Sequence, residues 1–381
     1  MKPTVIYTER DTTRSIKQST IPKRDTVMDF SIADMDFMVP WEIREALIHQ
    51  VTTGVLGYCM IDDVLRRNIT QWYKRRYFSQ IKEEEMILGP SVNTVLSWCV
   101  QAFTEVNDQV IIMPPVYEPF YLAIELNQRR VLEVPLILEK HNYKLDFEAF
   151  EQACTKAKVF LLCSPQNPIS RVWSHEEISE LLAITKKHNV TVVSDEIHSD
   201  WSFLPFTSAS SIDPQVITLL SASKTFNLQS LSTSFIFIKN RQDRIKYLQF
   251  INRQLYHHTD GLAYAAIMAA YSTGEDWLNQ VKEIVAGNAR YLQSYLETSI
   301  KQISMFEMQG TYLCWLDMRE LCSNDDEVEA YFEKIKVMGI SGRHYHSSIP
   351  CYRINLATGR QNIVELCRRL HQTKLSERTD K

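Results

Sequence analysis

With 381 residues, 45% hydrophobic and 23% charged side chains, the chain has the make-up of an ordinary globular protein, long enough for one large domain and a smaller one. A net charge of −4 with no basic stripe gives no footing for nucleic acid, and no apolar run approaches the ~20 residues of a membrane span. Eight cysteines without C-x-x-C spacing, and an N-terminus without a signal pattern, point to reduced thiols in a cytoplasmic protein.

Residues 1–30 mix Thr, Lys and Arg and read as an extended arm. Helical spacing over 41–51 starts near Pro40 and Trp41, Gly57-Tyr58 lies in a loop, and a basic amphipathic helix covers 62–77. Strand and helix then alternate. Helices over 94–103, 117–127, 147–155 and 175–188 are interleaved with strands over 109–113, 130–138, 159–163 and 190–193. Ser174 with Glu177 three residues on forms a capping box for the last of these helices. Strands follow over 216–220 and 234–239, then mainly helix over 241–285. A long helix from 286 leads to a strand over 312–318, a helix over 326–337 and a last strand over 352–356. Near-continuous apolar strands between helices predict an α/β fold with a mostly parallel sheet covered on both faces. The expected organisation is an N-terminal arm and part of the small domain (1–45), a large domain (46–285) and a C-terminal small α+β domain (286–381).

In open α/β sheets, ligands bind outside the carboxyl ends of the strands. Lys224 follows the apolar run 216–220 and is preceded by Ser221 and Ser223. A desolvated amine there is a nucleophile toward carbonyls, and the hydroxyls can hold an anion. Asp195 ends a Val-rich strand, where a carboxylate can pair with a ring nitrogen or simply cap a helix; His198 follows in the same loop. Asn167, in Pro165-Gln166-Asn167-Pro168, can donate to a phenolate oxygen or serve the turn. Ser91-Val92-Asn93 opens a helix, a start that suits a phosphate or a plain cap. Tyr117 can stack on a planar ring or fill the core. Arg353, in Tyr352-Arg353-Ile354-Asn355, can fork a carboxylate or sit in an ion pair. A lysine with phosphate holders and a ring-nitrogen partner is what pyridoxal phosphate requires. There is no G-x-G-x-x-G, Walker loop or H-E-x-x-H, and His344 and His346 lack partners at metal-ligand spacing, so no metal is expected.

Together these residues resemble fold-type I pyridoxal phosphate enzymes of the aspartate aminotransferase superfamily, nearest the class II cystathionine β-lyases of the MalY/PatB type. The strings that carry the resemblance are Ala33-Asp34-Met35-Asp36-Phe37, Gln166-Asn167-Pro168, Arg171-Val172-Trp173, Asp195-Glu196-Ile197-His198, Ser223-Lys224-Thr225-Phe226-Asn227, Thr311-Tyr312-Leu313-Cys314-Trp315 and Arg353-Ile354-Asn355. The resemblance implies a large domain with a seven-stranded, mostly parallel sheet, a smaller α+β domain, and pyridoxal 5′-phosphate as cofactor. It implies that Lys224 binds the cofactor and moves the Cα proton, and that Asp195 pairs with the pyridine nitrogen. Asn167 and His198 would lie against the ring, Tyr117 would stack on it, and Ser91, Val92, Asn93, Ser221 and Ser223 would hold the phosphate. Arg353 and Ala33 would face the amino-acid substrate. Tyr58 would reach the phosphate of a partner subunit, which implies a homodimer with shared sites.

The implied reaction is α,β-elimination of a sulfur amino acid to pyruvate, ammonia and a thiol, homocysteine in the case of cystathionine. An aminotransferase and a regulatory protein-binding member are the alternatives. Glycine is scarce, with 10 in the chain, and Ser91, Ser170 and Ser230 stand where or near where the family carries glycine. Glycine serves positive φ or close approach, so these positions mark a diverged member.

Overall fold

Seven strands make the central sheet: β1 (Met86–Gly89), β2 (Gln109–Ile112), β3 (Arg130–Glu133), β4 (Ala157–Cys163), β5 (Thr191–Asp195), β6 (Ile217–Leu220) and β7 (Ser234–Phe237). Their order is β1-β7-β6-β5-β4-β2-β3, and every pairing is parallel except the two made by β7. The cause is legible in β4. Val159, Leu161 and Cys163 pack with Val95 and Leu96 of the helix Val92–Phe103, while Phe160 and Leu162 pack with Trp173, Ile178 and Leu181 on the opposite face. A strand of period two with both faces buried has no solvent side for polar residues, so it reads as a continuous apolar run.

The computed structural model describes residues 5–8, 15–19, 27–79, 81–257 and 260–379, except for the side chains of 18–19 and 372–379. The helix His175–Lys187 has the expected capping box, with Ser174 and Glu177 each satisfying the other's backbone N–H. The strand expected over 130–138 stops at Glu133, because Pro135 has no N–H to donate; Ile137–Glu139 pairs instead with Asn142–Lys144 in a hairpin. The expected arm over 1–30 holds a helical turn, Ile16–Ser19, while its residues 1–4, 9–14 and 20–26 lie outside the described residues.

A second, antiparallel sheet contains β8 (Ser304–Met305), β9 (Leu313–Asp317), β10 (Ile340–Ser341) and β11 (Cys351–Asn355), in the order β8-β9-β11-β10. Met28–Asp29 pairs in parallel with Val337–Met338, so the start of the chain joins its C-terminal part. The boundary expected between 285 and 286 falls inside one unbroken helix, Glu275–Ser299. The helix Arg360–Thr379, which no expected element covers, buries Ile363, Leu366, Cys367 and Leu370 at helical spacing against that long helix. The carboxyl ends of β4, β5 and β6 open toward the second sheet, and the segment 31–37 runs between the two.

Candidate active site

Ser221 caps the five-residue helix Ala222–Phe226, which begins where β6 ends and carries Lys224. The Lys224 amine donates to the Ala33 carbonyl at 2.6 Å. Desolvation first, and the Arg353 charge second, bring its pKa down from 10.5 to about 8, against the opposing pull of Asp34 and Asp195. The same Ala33 carbonyl accepts from the Tyr312 hydroxyl at 2.8 Å and the Gln229 amide at 3.3 Å.

Three side chains staple the segment around Ala33. Asn227, in left-handed backbone just past the lysine helix, accepts from Met35 N–H at 2.9 Å and donates to Met35 O at 2.9 Å and Phe37 O at 3.1 Å. From β11, Asn355 donates to Ile32 O at 2.7 Å and Asp34 O at 2.5 Å, and Arg353 donates to Ser31 O at 2.6 Å. Lys224, the backbone around Ala33 and Arg353 therefore belong to one hydrogen-bonded assembly.

Asp195 ends β5 and is 5% exposed. Its carboxylate accepts one hydrogen bond, from Ile197 N–H at 3.1 Å, and meets no cation at ion-pair distance among the described residues. Burial pushes its pKa up to about 6. The buried His198 ring stands edge-on to Tyr312 at 5.8 Å, and its Nδ1 has no hydrogen-bond partner among the described residues. Desolvation, then the Lys224 and Arg353 charges, hold its pKa well below the usual value, so the imidazole is neutral.

At the other end, Ser91 caps the helix Val92–Phe103 by accepting from Thr94 N–H at 3.3 Å. Asn93 donates to the Tyr117 hydroxyl at 3.3 Å. The Ser221 hydroxyl lies 2.7 Å from Thr233 O and 2.9 Å from the Ser223 hydroxyl. A helix start beside hydroxyls favours an anion.

These residues surround one cleft of about 180 Å³. Ala33, Tyr117, Asn167, Asp195, His198 and Lys224 line it, as do Ser91, Val92 and Asn93 at the helix start and Ser221 and Ser223 beside the lysine. Arg353 borders it, 4% exposed, with Nη1 donating to Asn167 Oδ1 at 3.2 Å; its Nε has no partner, and no carboxylate pairs with it among the described residues. Tyr58 lies apart, 98% exposed on the loop before the helix Asp63–Tyr77. A larger groove of about 1090 Å³ beside the helix Glu275–Ser299 is lined by surface charges of both signs, including Glu139, Arg290, Glu297 and Lys301, and assembles no comparable set.

Gln229, Tyr312, Cys163 and Thr233 also face the site, with no role expected of them. Tyr312 stands inside a motif string, yet nothing local marks its hydroxyl for a carbonyl 279 residues away. Of the serines at glycine positions, Ser91 has φ −62°, which any residue adopts, and Ser230 is not in left-handed backbone. Ser170 does occupy the left-handed region, with φ 57°, and its buried hydroxyl lies 2.7 Å from Thr311 Oγ1 and 2.5 Å from Leu313 O.

The family model for aminotransferase class I and II matches residues 25–370. The chain belongs to that family. It is 36% identical to cystathionine beta-lyase PatB of Bacillus subtilis (strain 168) over 323 residues, 82% of this chain and 84% of that protein. It is 32% identical to the protein MalY of Escherichia coli (strain K12) over 329 residues, 84% of each. The structure of cystalysin from Treponema denticola, which contains pyridoxal 5′-phosphate, superposes with a TM-score of 0.93 at 29% identity, covering 97% of this chain and 98% of that one. The aminotransferase-like fold expected from the sequence is thus the fold of this chain. Its cleft suits the same cofactor: a buried carboxylate without a cation, a buried guanidinium without a carboxylate, a low-pKa amine and a helix start meet there.

Proposed function

We propose that the chain is a pyridoxal 5′-phosphate-dependent carbon–sulfur lyase that cleaves cystathionine or a related cysteine S-conjugate by α,β-elimination. The observation that carries this reading is the Lys224 amine, brought to about 8 and set between a carboxylate without a cation and a guanidinium without a carboxylate. The relatives named as cystathionine β-lyases support the choice of reaction.

Lys224 would hold the cofactor through its amine, Asp195 would offer its charge to the ring nitrogen, and Asn167 and His198 would lie against the ring. Ser91, Val92, Asn93, Ser221 and Ser223 would hold the phosphate, and Tyr117 would stack on the ring. When bound, pyridoxal phosphate supplies an electron sink for the electrons of a broken Cα–H bond. Arg353 takes the substrate α-carboxylate in its planar fork, which orients Cα. Lys224, partly neutral near pH 8, accepts the Cα proton. The sulfur on Cβ then leaves as the thiol, and water completes the release of pyruvate and ammonia. Cystathionine and water give homocysteine, pyruvate and ammonia.

The test is to incubate the cofactor-loaded protein with cystathionine alone, and separately with an amino acid and a 2-oxo acid. Thiol and pyruvate in the first tube support the lyase. Amino-group exchange in the second, with none in the first, replaces it by an aminotransferase.

A homodimer with shared sites belongs to the same reading. Tyr58 is 98% exposed beside Val55 at 73%, Leu56 at 66% and Met60 at 90%, and such an apolar cluster suits a second copy. In that dimer Tyr58 would reach the phosphate of the cofactor held by the other subunit. Sedimentation should give twice the chain mass, and Met60→Asp should shift it toward the monomer. A cytoplasmic, reducing setting agrees with eight unpaired cysteines; among the described residues no helix is long and apolar enough to cross a membrane.

A further inference from the structure

Asp200 lies five residues past Asp195, does not line the cleft, and is the most heavily bonded carboxylate near it. It is 1% exposed. From the helix Asp63–Tyr77 it accepts Trp72 Nε1 at 3.0 Å and 3.2 Å, one bond to each oxygen, and the Tyr77 hydroxyl; Arg76 Nε lies 3.1 Å away. Its backbone carbonyl accepts Lys282 Nζ at 2.9 Å, which also donates to Ser202 O at 2.7 Å. The remaining bond leads to the lysine helix: the Thr225 hydroxyl donates to Asp200 Oδ2 at 2.8 Å. Next to it, Trp201 Nε1 donates to the Lys224 backbone carbonyl at 2.6 Å.

That helix has five residues, too short to hold its own position by helix formation. Its place is set by what it is tied to. Asn227 fixes its C-terminal end to the segment around Ala33, and Thr225 and Trp201 fix its middle to the loop after β5. The Lys224 side chain must span from this backbone to the cleft, so a shift of the helix moves the amine directly. We propose that Asp200 is a positioning residue for Lys224, acting through the Thr225 hydroxyl. Its carboxylate converts the rigidity of the helix Asp63–Tyr77 into a fixed reach for the catalytic amine. A misplacement of about 1 Å at a reacting group costs on the order of 10²-fold in rate.

The inference rests on the cofactor reading above, and the test separates the two. Thr225→Val keeps the shape and removes the donor; Thr225→Ser keeps the donor and removes the methyl. Pyridoxal phosphate affinity is read by titrating the visible absorbance, kcat and KM by thiol release from cystathionine, and folding by the thermal midpoint. For Thr225→Val the expected result is a loss of about 10- to 100-fold in kcat, a several-fold weaker hold on the cofactor, and a KM within about twofold, since Arg353 is untouched. Thr225→Ser should restore kcat to within about threefold. Wild-type kcat and cofactor affinity in Thr225→Val, whatever its thermal midpoint, overturn the inference, as does a Thr225→Ser variant as impaired as Thr225→Val. A wild-type protein that takes up no cofactor overturns the cofactor reading and the anchor with it.

Discussion

Arg353 on β11 donates to the carboxamide oxygen of Asn167 on the loop after β4 at 3.2 Å, so one hydrogen bond joins the second sheet to the central one at the cleft. The guanidinium is held by that bond and by Ser31 O, and stacks over the Tyr345 ring at 5.2 Å; among the described residues its Nε has no partner. A lysine cannot reproduce a planar fork held in this way. Arg353→Lys should raise KM for the amino-acid substrate about 10- to 100-fold, in line with about 1.5–3 kcal/mol for a charged hydrogen bond, with a smaller change in kcat. Steady-state kinetics check it, and an unchanged KM would show that the carboxylate binds elsewhere.

Lys224→Ala removes the group assigned both to hold the cofactor and to move the Cα proton. The visible band of the attached cofactor should vanish, and elimination should fall by at least about 10²- to 10⁴-fold, the range for loss of a general base. A variant that keeps the band refutes the assignment of the lysine.

How far this site could be read in advance depends on the range of the interactions. The capping box of Ser174 and Glu177 spans three residues and is plain in the sequence. So are the apolar strands, whose two buried faces suppress any polar alternation. Lys224, Asp195 and Ser91 were legible because strand ends are where a doubly covered sheet opens. The staples were not. Asn227 grips Met35 from 192 residues away, and an asparagine facing a backbone carbonyl leaves no periodic trace. The pairing of Met28–Asp29 with Val337–Met338 is too short to show a strand pattern. The helix Arg360–Thr379 is a different case: Ile363, Leu366, Cys367 and Leu370 do carry the helical period, so its signal was present in the sequence.

Asp195 makes the cofactor-free protein sensitive to pH. Burial raises its folded-state pKa from 3.8 to about 6, so the fold favours the protonated form. Its contribution is fully present below pH 3.8 and is lost as the pH rises through about 6. Above that range the buried charge costs on the order of 2–3 kcal/mol. Glu196, raised to about 7 chiefly by burial, acts in the same direction, and loss of the neighbouring Asp195 charge relieves it, which adds to the variant's gain at pH 7. Lys224, at about 8, loses the upward pull of the Asp195 charge in the variant and is held lower still, which offsets part of the gain at pH 7. Asp195→Asn should therefore gain stability over the wild type at pH 7 relative to pH 4, measured by urea unfolding without cofactor. An equal difference at both pH values would refute the shift.

Ser170 offers a test of backbone strain against side-chain bonding. Its φ of 57° is one an L-residue holds at a cost of about 1–2 kcal/mol, and glycine holds freely. Its hydroxyl offsets part of that cost through Thr311 and Leu313 O, at the point where the loop bearing Asn167 meets the entry to β9. Ser170→Ala keeps the strain and loses the bond, and should destabilise by about 1–3 kcal/mol, because the buried Leu313 carbonyl and Thr311 hydroxyl lose a partner. Ser170→Gly loses the same bond but releases the strain. It should stand about 1 kcal/mol above the alanine variant, leaving a net loss from wild type of about 0–2 kcal/mol. Urea unfolding of the three proteins decides between the terms. If alanine and glycine destabilise equally, the left-handed backbone carries no strain, and the serine is there for its hydroxyl alone.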